Sequence, residues 1–165
     1  VTTTDDAFEE LYRRHAPSAF RRARRLLGNS ADAHEVVHDV FLSLIERPEQ
    51  YRGESRVSTF LYSTVTHACL NRLRNQKNRR RLLTEHAPIT LPDLHSTPAQ
   101  RSSELRSVLE RMPEPLALVA VYYYIDDLSH AEIARVMGCS SRHVGNLLTR
   151  LTLWAANEES EVCTP

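Results

Sequence analysis

The sequence predicts an all-α protein: two small helical domains joined by an extended linker, the C-terminal one a helix-turn-helix. Three observations carry this. Glycine is scarce, four in 165 residues, while Ala, Leu, Arg and Glu are common, a composition that favours helix. Apolar residues recur at helical spacing on both sides of residues 82–100, which hold Pro88, Pro92 and Pro98 and little periodicity. Charge also divides the chain. Residues 1–81 carry 15 Lys+Arg and 10 Asp+Glu, a net of +5, and residues 82–165 carry 6 and 11, a net of −5. Opposite halves of a neutral chain point to two modules with different faces. The expected division is 1–81, a linker over 82–101, 102–157, and an acidic tail over 158–165.

The elements follow in order. Thr4, Asp5 and Asp6 offer caps for a helix over 7–27, whose stripe is Phe8, Leu11, Tyr12, Ala19, Phe20, Ala23, Leu26 and Leu27. Pro17 should kink that helix or split it. Gly28 stops it, and Asn29 or Ser30 caps the next, over 31–46. There Val36, Val37, Val40, Phe41, Leu44 and Ile45 face a core while Asp32, Glu35 and Asp39 lie off the stripe. Pro48 ends it, and YRGES at 51–55 is a polar loop.

A helix over 57–81 follows. It begins apolar and ends in Arg72, Arg74, Lys77, Arg79, Arg80 and Arg81, with no acidic residue. Six cations exceed what a helix dipole needs, so the stretch points to a polyanion, most often a nucleic acid. The plainer reading is a solvated basic helix end.

Beyond the linker, Leu105, Val108, Leu109 and Met112 mark a short helix ending at Pro113. LALVAVYYYI at 116–125 reads as a buried strand or a buried helix. Ser129 and Glu132 form a capping box, Gly138 turns the chain, and Ser140 or Ser141 caps a last helix with Val144, Leu147, Leu148 and Leu151 inward. Residues 128–151 thus match helix-turn-helix spacing. Arg142, His143 and Asn146, early in the second helix, would reach base edges or phosphates in a major groove. Tyr122, Tyr123 and Tyr124 read as core packing rather than as a base-stacking platform, and Cys139 as a small buried residue.

Composition excludes several classes. An apolar content of 41% with 25% charged residues is too ordinary for general disorder. Cys69, Cys139 and Cys163 are odd in number and widely spaced, which argues against a disulfide framework and suits a reducing cytosol. No apolar run reaches a membrane span, and the acidic start VTTTDDAFEELY is no signal peptide, so the expected place is the cytoplasm. His34, Glu35 and His38 spell HExxH, which on a helix can hold zinc. A hydrolase would need a third ligand, and His67, His86 and His95 offer no spaced motif, so an exposed polar helix side is the better reading.

The order FEELYRRHAPSAFRRARRLLGNSADAHEVVHDVFLSLIE, YRGESRVSTFLYSTVTHACLNRLRNQKNRR, proline-bearing linker, LSHAEIARVMGCSSRHVGNLLTRL resembles a bacterial RNA polymerase sigma factor of the extracytoplasmic-function (ECF) class of the sigma-70 family. The resemblance covers about residues 6–154. It implies a non-enzyme without metal or cofactor. The partners it implies are core RNA polymerase, promoter DNA and an anti-sigma factor that can hold the chain near the membrane, with no small-molecule substrate and no membrane insertion. Asp32, Glu35 and Asp39 would bind polymerase. Tyr51, Arg52, Ser55, Phe60, His67 and Asn71 would hold an extruded −10 base, with Arg74, Lys77, Arg79 and Arg80 on the backbone. Ser140, Ser141, Arg142, His143, Asn146 and Arg150 would engage the −35 duplex. The linker would thread a polymerase channel. Phe60 stands where the family usually has Trp, His67 where Asn is common, Ala117 where Arg is usual, and Gly145 and Leu147 where the recognition helix is usually basic. These departures and the acidic second module leave a second reading, a degenerate sigma-like regulator acting through protein contacts.

Overall fold

The computed structural model describes residues 4–83 and 98–162, with side chains over 6–76, at Asn78 and over 102–158. Every regular element among them is helical: α1 (Thr4–Leu27), α2 (Ser30–Glu46), a 3-10 turn (Pro48–Gln50), α3 (Val57–Leu83), α4 (Pro98–Arg111), α5 (Glu114–Ala120), a π turn (Val121–Ile125), α6 (His130–Met137) and α7 (Ser141–Val162). Packing gathers them into two compact units, Val1–Arg111 and Met112–Pro165.

In the first unit α1, α2 and α3 pack on one another. Ala19, Ala23 and Leu26 of α1 meet Val36, Val37, Val40 and Phe41 of α2 and Leu61, Val65, Leu70 and Leu73 of α3 in the core. Tyr12 sets its ring edge against Phe41, with centroids 4.9 Å apart. Arg22 is buried among these helices yet satisfied: its guanidinium lies 4.4 Å from the Tyr62 ring centroid, and its Nε donates to Thr66 Oγ1 at 3.2 Å. Cys69 is also buried, which pushes its thiol pKa up to about 12 and keeps it protonated and inert.

Pro17 does not split α1, which runs unbroken through it. The ring removes only one donor, its position is exposed, and Ser18 Oγ donates to the His15 carbonyl at 2.8 Å nearby. Ile45 is not a core residue either. It is 54% exposed, because α2 buries a face centred on Val36, Val37, Val40 and Phe41.

Gly28 closes α1 at φ +80, a left-handed conformation where a side chain is strained, and a Cβ would also overlap the Arg106 guanidinium of α4. Gly28→Ala is therefore expected to cost about 1–2 kcal/mol of stability, read as a lower urea midpoint with an unchanged slope.

α3 extends through Leu83 and α4 starts at Pro98, so helix takes both ends of the stretch expected to be linker. The rest of that stretch, 84–97, lies outside the described residues, as do His86 and His95. α4 packs on α3 in the first unit, although its sequence opens the stretch read as the second module.

In the second unit α5 resolves the strand-or-helix ambiguity as helix. Leu116, Ala117, Leu118, Val119 and Ala120 are all buried, as befits a central helix enclosed on every side. The chain leaves it through the π turn, closed by the Asp126 N–H on the Val121 carbonyl at 3.1 Å. Only Tyr122 of the tyrosine triplet is core. Tyr123 and Tyr124 emerge where the enclosed helix ends, 38% and 65% exposed.

The helix-turn-helix is built by local chemistry. Glu132 Oε2 accepts from the Ser129 N–H at 2.9 Å, and the Ser129 side chain accepts from the Glu132 N–H, completing the capping box. Gly138 ends α6 at φ 64, and Ser140 Oγ accepts from the His143 N–H at 3.2 Å to start α7. Ile133, Ala134, Val144, Leu147 and Leu151 are buried beneath the turn, which leaves Cys139 only half-buried.

Candidate nucleic-acid and polymerase surfaces

α3 carries two different polar faces. Phe60, His67, Asn71 and Arg74 recur every three, four or seven positions and so share a stripe about 21 Å long. At its start, Tyr51 closes the loop 51–55 by donating its hydroxyl to the Ser55 carbonyl at 2.7 Å, and its ring lies 5.3 Å from Phe60. The loop turns at Gly53, φ 73, with Arg52 and Ser55 exposed. Further along, Arg74 Nη1 donates to Asn71 Oδ1 at 3.1 Å, and Asn71 opens onto a groove of about 450 Å³ shared with Asp39 of α2. The structure thus brings Tyr51, Ser55 and Phe60 together at one end of the stripe and sets Asn71 and Arg74 farther along it. The side chains of Lys77, Arg79 and Arg80 lie outside the described residues.

The other face of α3 is bound to α2. Arg72 Nη2 meets Glu35 Oε2 at 2.6 Å and Arg72 Nη1 lies 3.8 Å from Asp32 Oδ1. Gln76 Nε2 donates to Asp32 Oδ2 at 2.8 Å, and Asn29 caps α2 by accepting from the Asp32 N–H at 2.7 Å. Arg72 is therefore engaged within the chain rather than presented to a phosphate, and Asp32 and Glu35 fasten α2 to α3. Asp39, by contrast, is exposed, and Leu42 (42% exposed) and Ile45 continue its face. Sequence reasoning missed that apolar extension. A stripe of alternating Val, Phe and Leu gives no sign of which edge is left open. The signal it did hold was the three- and four-residue step from Asp39 to Leu42 to Ile45.

The Asn29 hydrogen bond, then the Gln76 hydrogen bond and the Arg72 charge, hold the Asp32 carboxyl below its ordinary pKa despite the opposing effect of burial. A depressed folded pKa contributes stability that is complete above the ordinary carboxylate range and lost as pH falls through the folded value. Wild type should therefore be more stable than Asp32→Asn at pH 7, and the gap should close below about pH 4, measured by denaturation at several pH values.

In the second unit Arg142, His143, Asn146 and Arg150 are exposed on α7, with Ser140 and Ser141 at its start. Val144, Leu147 and Leu151 bury the opposite side. Leu147 is a core residue, which accounts for an apolar side chain at that position. Gly145 has open space around it, and nothing in the structure requires glycine there.

Two of the three HExxH residues are otherwise occupied. His34 stacks on Phe20 with centroids 4.2 Å apart, and Glu35 holds Arg72. Among the described residues no three His, Cys, Asp or Glu side chains are grouped to hold a metal ion, and no helix is long and apolar enough to cross a membrane.

A half-buried polar stripe on α3 that leads into a basic run in one unit, and a helix-turn-helix in the other, define a helical protein of two modules with features suited to nucleic acid. Residues 11–79 match Sigma-70 region 2, and residues 102–151 match Sigma-70 region 4. The chain belongs to the sigma-70 family, in its ECF class. It is 29% identical over 150 residues to the ECF RNA polymerase sigma factor SigM of Mycobacterium tuberculosis, covering 87% of this chain and 72% of that one. To the ECF RNA polymerase sigma factor SigW of Bacillus subtilis it is 24% identical over 159 residues, 88% and 83% of the two chains. The RNA polymerase sigma factor YlaC of the same organism is 24% identical over 154 residues, 90% and 89%.

Proposed function

We propose that this chain is an alternative sigma factor. It binds core RNA polymerase, recognises −35 and −10 promoter elements and promotes DNA melting, and it performs no covalent chemistry of its own. The observation that carries this is the presence in one chain of matches to both region 2 and region 4. The working division is 1–81 for polymerase and the −10 element, 82–101 as linker, 102–157 for the −35 element and 158–165 as tail. The region 4 match beginning at 102 supports the start of the last module.

Polymerase meets α2 through Asp39 and its apolar neighbours Leu42 and Ile45, with Asp32 and Glu35 setting that face by their hold on α3. The −10 strand runs along the α3 stripe. One base leaves the stack for the loop 51–55, where Tyr51 and Phe60 offer ring faces, and His67 and Asn71 offer polar edges to the strand farther along α3. Arg74, Lys77, Arg79 and Arg80 follow the backbone. Arg142, His143, Asn146 and Arg150 meet the −35 duplex. The working compartment is the cytoplasm, where core polymerase is found, and an anti-sigma partner would restrain the chain there or at the membrane.

Retention of the chain on immobilised core polymerase tests the first step, and its absence there would sink the proposal. Arg79→Ala with Arg80→Ala should lower promoter-complex stability and flatten the slope of log K against log salt by about 1.4–1.8 for two lost phosphate contacts. An unchanged slope counts against phosphate contact. One observation favours the second reading, a sigma-like regulator that opens no promoter: residues 112–165 hold three Arg and seven Asp+Glu, so the helix-turn-helix unit lacks general attraction for DNA. Strong promoter-specific run-off transcription would exclude it.

A further inference from the structure

In the first unit the start of α1, the end of α2, the 3-10 turn and the start of α3 meet around an apolar surface pocket of about 330 Å³. Phe8, Leu11, Leu44, Ile45, Tyr51 and Phe60 form most of its walls, and every lining residue is apolar or aromatic. The one polar side-chain atom on those walls, the Tyr51 hydroxyl, already donates to the Ser55 carbonyl at 2.7 Å. His67 and Asn71 do not line it. A nucleobase lodged there would find no partner on the walls for its polar edge, which costs free energy. The pocket is therefore suited to an apolar group.

Its surroundings narrow the choice of occupant. Ile45 belongs both to the pocket and to the open side of α2. Asp39, Leu42 and Ile45, all exposed, step along that helix over about 9 Å. The pocket thus continues the face given above to core polymerase. Carboxylates edge it. Residues 39–50 hold Asp39, Glu46 and Glu49, all exposed, against a single cation, Arg47, which donates to the Ser43 hydroxyl at 3.2 Å.

We propose that this pocket seats an apolar anchor, an aromatic or branched aliphatic side chain, from a segment of core polymerase that also carries Lys or Arg. It rests on the polymerase face assigned to α2, which it extends to α1. Interfaces concentrate binding energy where one bulky side chain fills a pocket of its partner, and complementary charge around the pocket orients the approach. A second copy of this chain seated face to face would instead set the same carboxylates against one another.

The test uses the full chain, fluorescently labelled and titrated with core polymerase. Ala7 lines the pocket from an exposed position on α1 and takes no part in the −10 or α2 contacts. Ala7→Trp fills the space an anchor needs and should weaken binding about tenfold with little change in melting temperature. Ala7→Ser leaves the space open and should keep binding within about twofold. Glu46→Lys with Glu49→Lys should weaken binding about fivefold and make it less sensitive to salt. With p-benzoylphenylalanine in place of Ala7, irradiation of the assembled holoenzyme should join the chain to a polymerase peptide that holds a bulky apolar residue close to Lys or Arg. Undiminished affinity of the folded Ala7→Trp variant overturns the proposal while the wild type's own binding leaves the sigma reading standing. A wild type that does not bind core polymerase overturns both. Should Ala7→Trp misfold, the cross-link decides. Its absence, or a cross-link only to promoter DNA or to a second copy of the chain, overturns the proposal equally.

Discussion

Asp39→Arg combined with Ile45→Asp will weaken binding to core RNA polymerase at least about thirtyfold, the effect of losing one interface hot spot of roughly 2 kcal/mol. Both residues are exposed on α2, at the edges of its buried face of Val36, Val37, Val40 and Phe41. The double variant should therefore melt within a few degrees of wild type. The loss has two sources. Ile45 gives up apolar area that association would bury, and Asp39 exchanges one charge sign for the other at an interface that depends on complementarity. Glu35→Gln is the informative contrast. Glu35 faces Arg72 at 2.6 Å, so its change should first loosen α2 from α3 and should alter polymerase affinity less than the double variant does. Titration of labelled chain with core polymerase separates the two. Equal affinity of wild type and double variant would remove this face of α2 from the interface.

The second large effect is on strand opening. Tyr51→Ala should slow promoter melting roughly tenfold to a hundredfold, since base stacking on an aromatic ring contributes about 1–3 kcal/mol. Tyr51 does two jobs: its ring lies beside Phe60, and its hydroxyl ties the loop to the Ser55 carbonyl. Tyr51→Phe keeps the ring and breaks the tie, so it divides the two contributions. His67→Ala with Asn71→Ala should likewise impair melting more than polymerase binding, because both lie on the α3 stripe and not on the open face of α2. Permanganate reactivity of unpaired thymines reads melting directly. If binding and melting fall together, the variants have disturbed the fold and the −10 assignment gains nothing from them.

What could be read from sequence was what depends on near neighbours. The capping box of Ser129 and Glu132, the left-handed Gly138, the Asn29 cap and the helical spacing of Val144, Leu147 and Leu151 each need only residues within a few turns of one another, and the structure forms all of them. The basic run of α3 was visible for the same reason. Pairings across distance were not. Arg72 and Glu35 are 37 positions apart and Gln76 and Asp32 are 44, and nothing in their spacing says that one face of a basic helix is already neutralised. The same limit misassigned Ile45 and two of the three tyrosines. Apolar character predicts a preference for burial, but which edge of α2 stays open, and where the enclosed α5 ends, depends on how neighbouring helices cover them. Leu147 shows the converse. Set beside the family it reads as a missing cation, while its burial makes it part of the fold.

In vitro transcription with core polymerase on a library of genomic fragments decides most directly whether the chain opens promoters as a sigma factor. Transcripts with discrete start sites should appear only when the chain is added and should vanish with the Asp39→Arg, Ile45→Asp variant. Stable binding to core polymerase with no transcript from any fragment would contradict it and leave a protein that occupies polymerase without opening promoters.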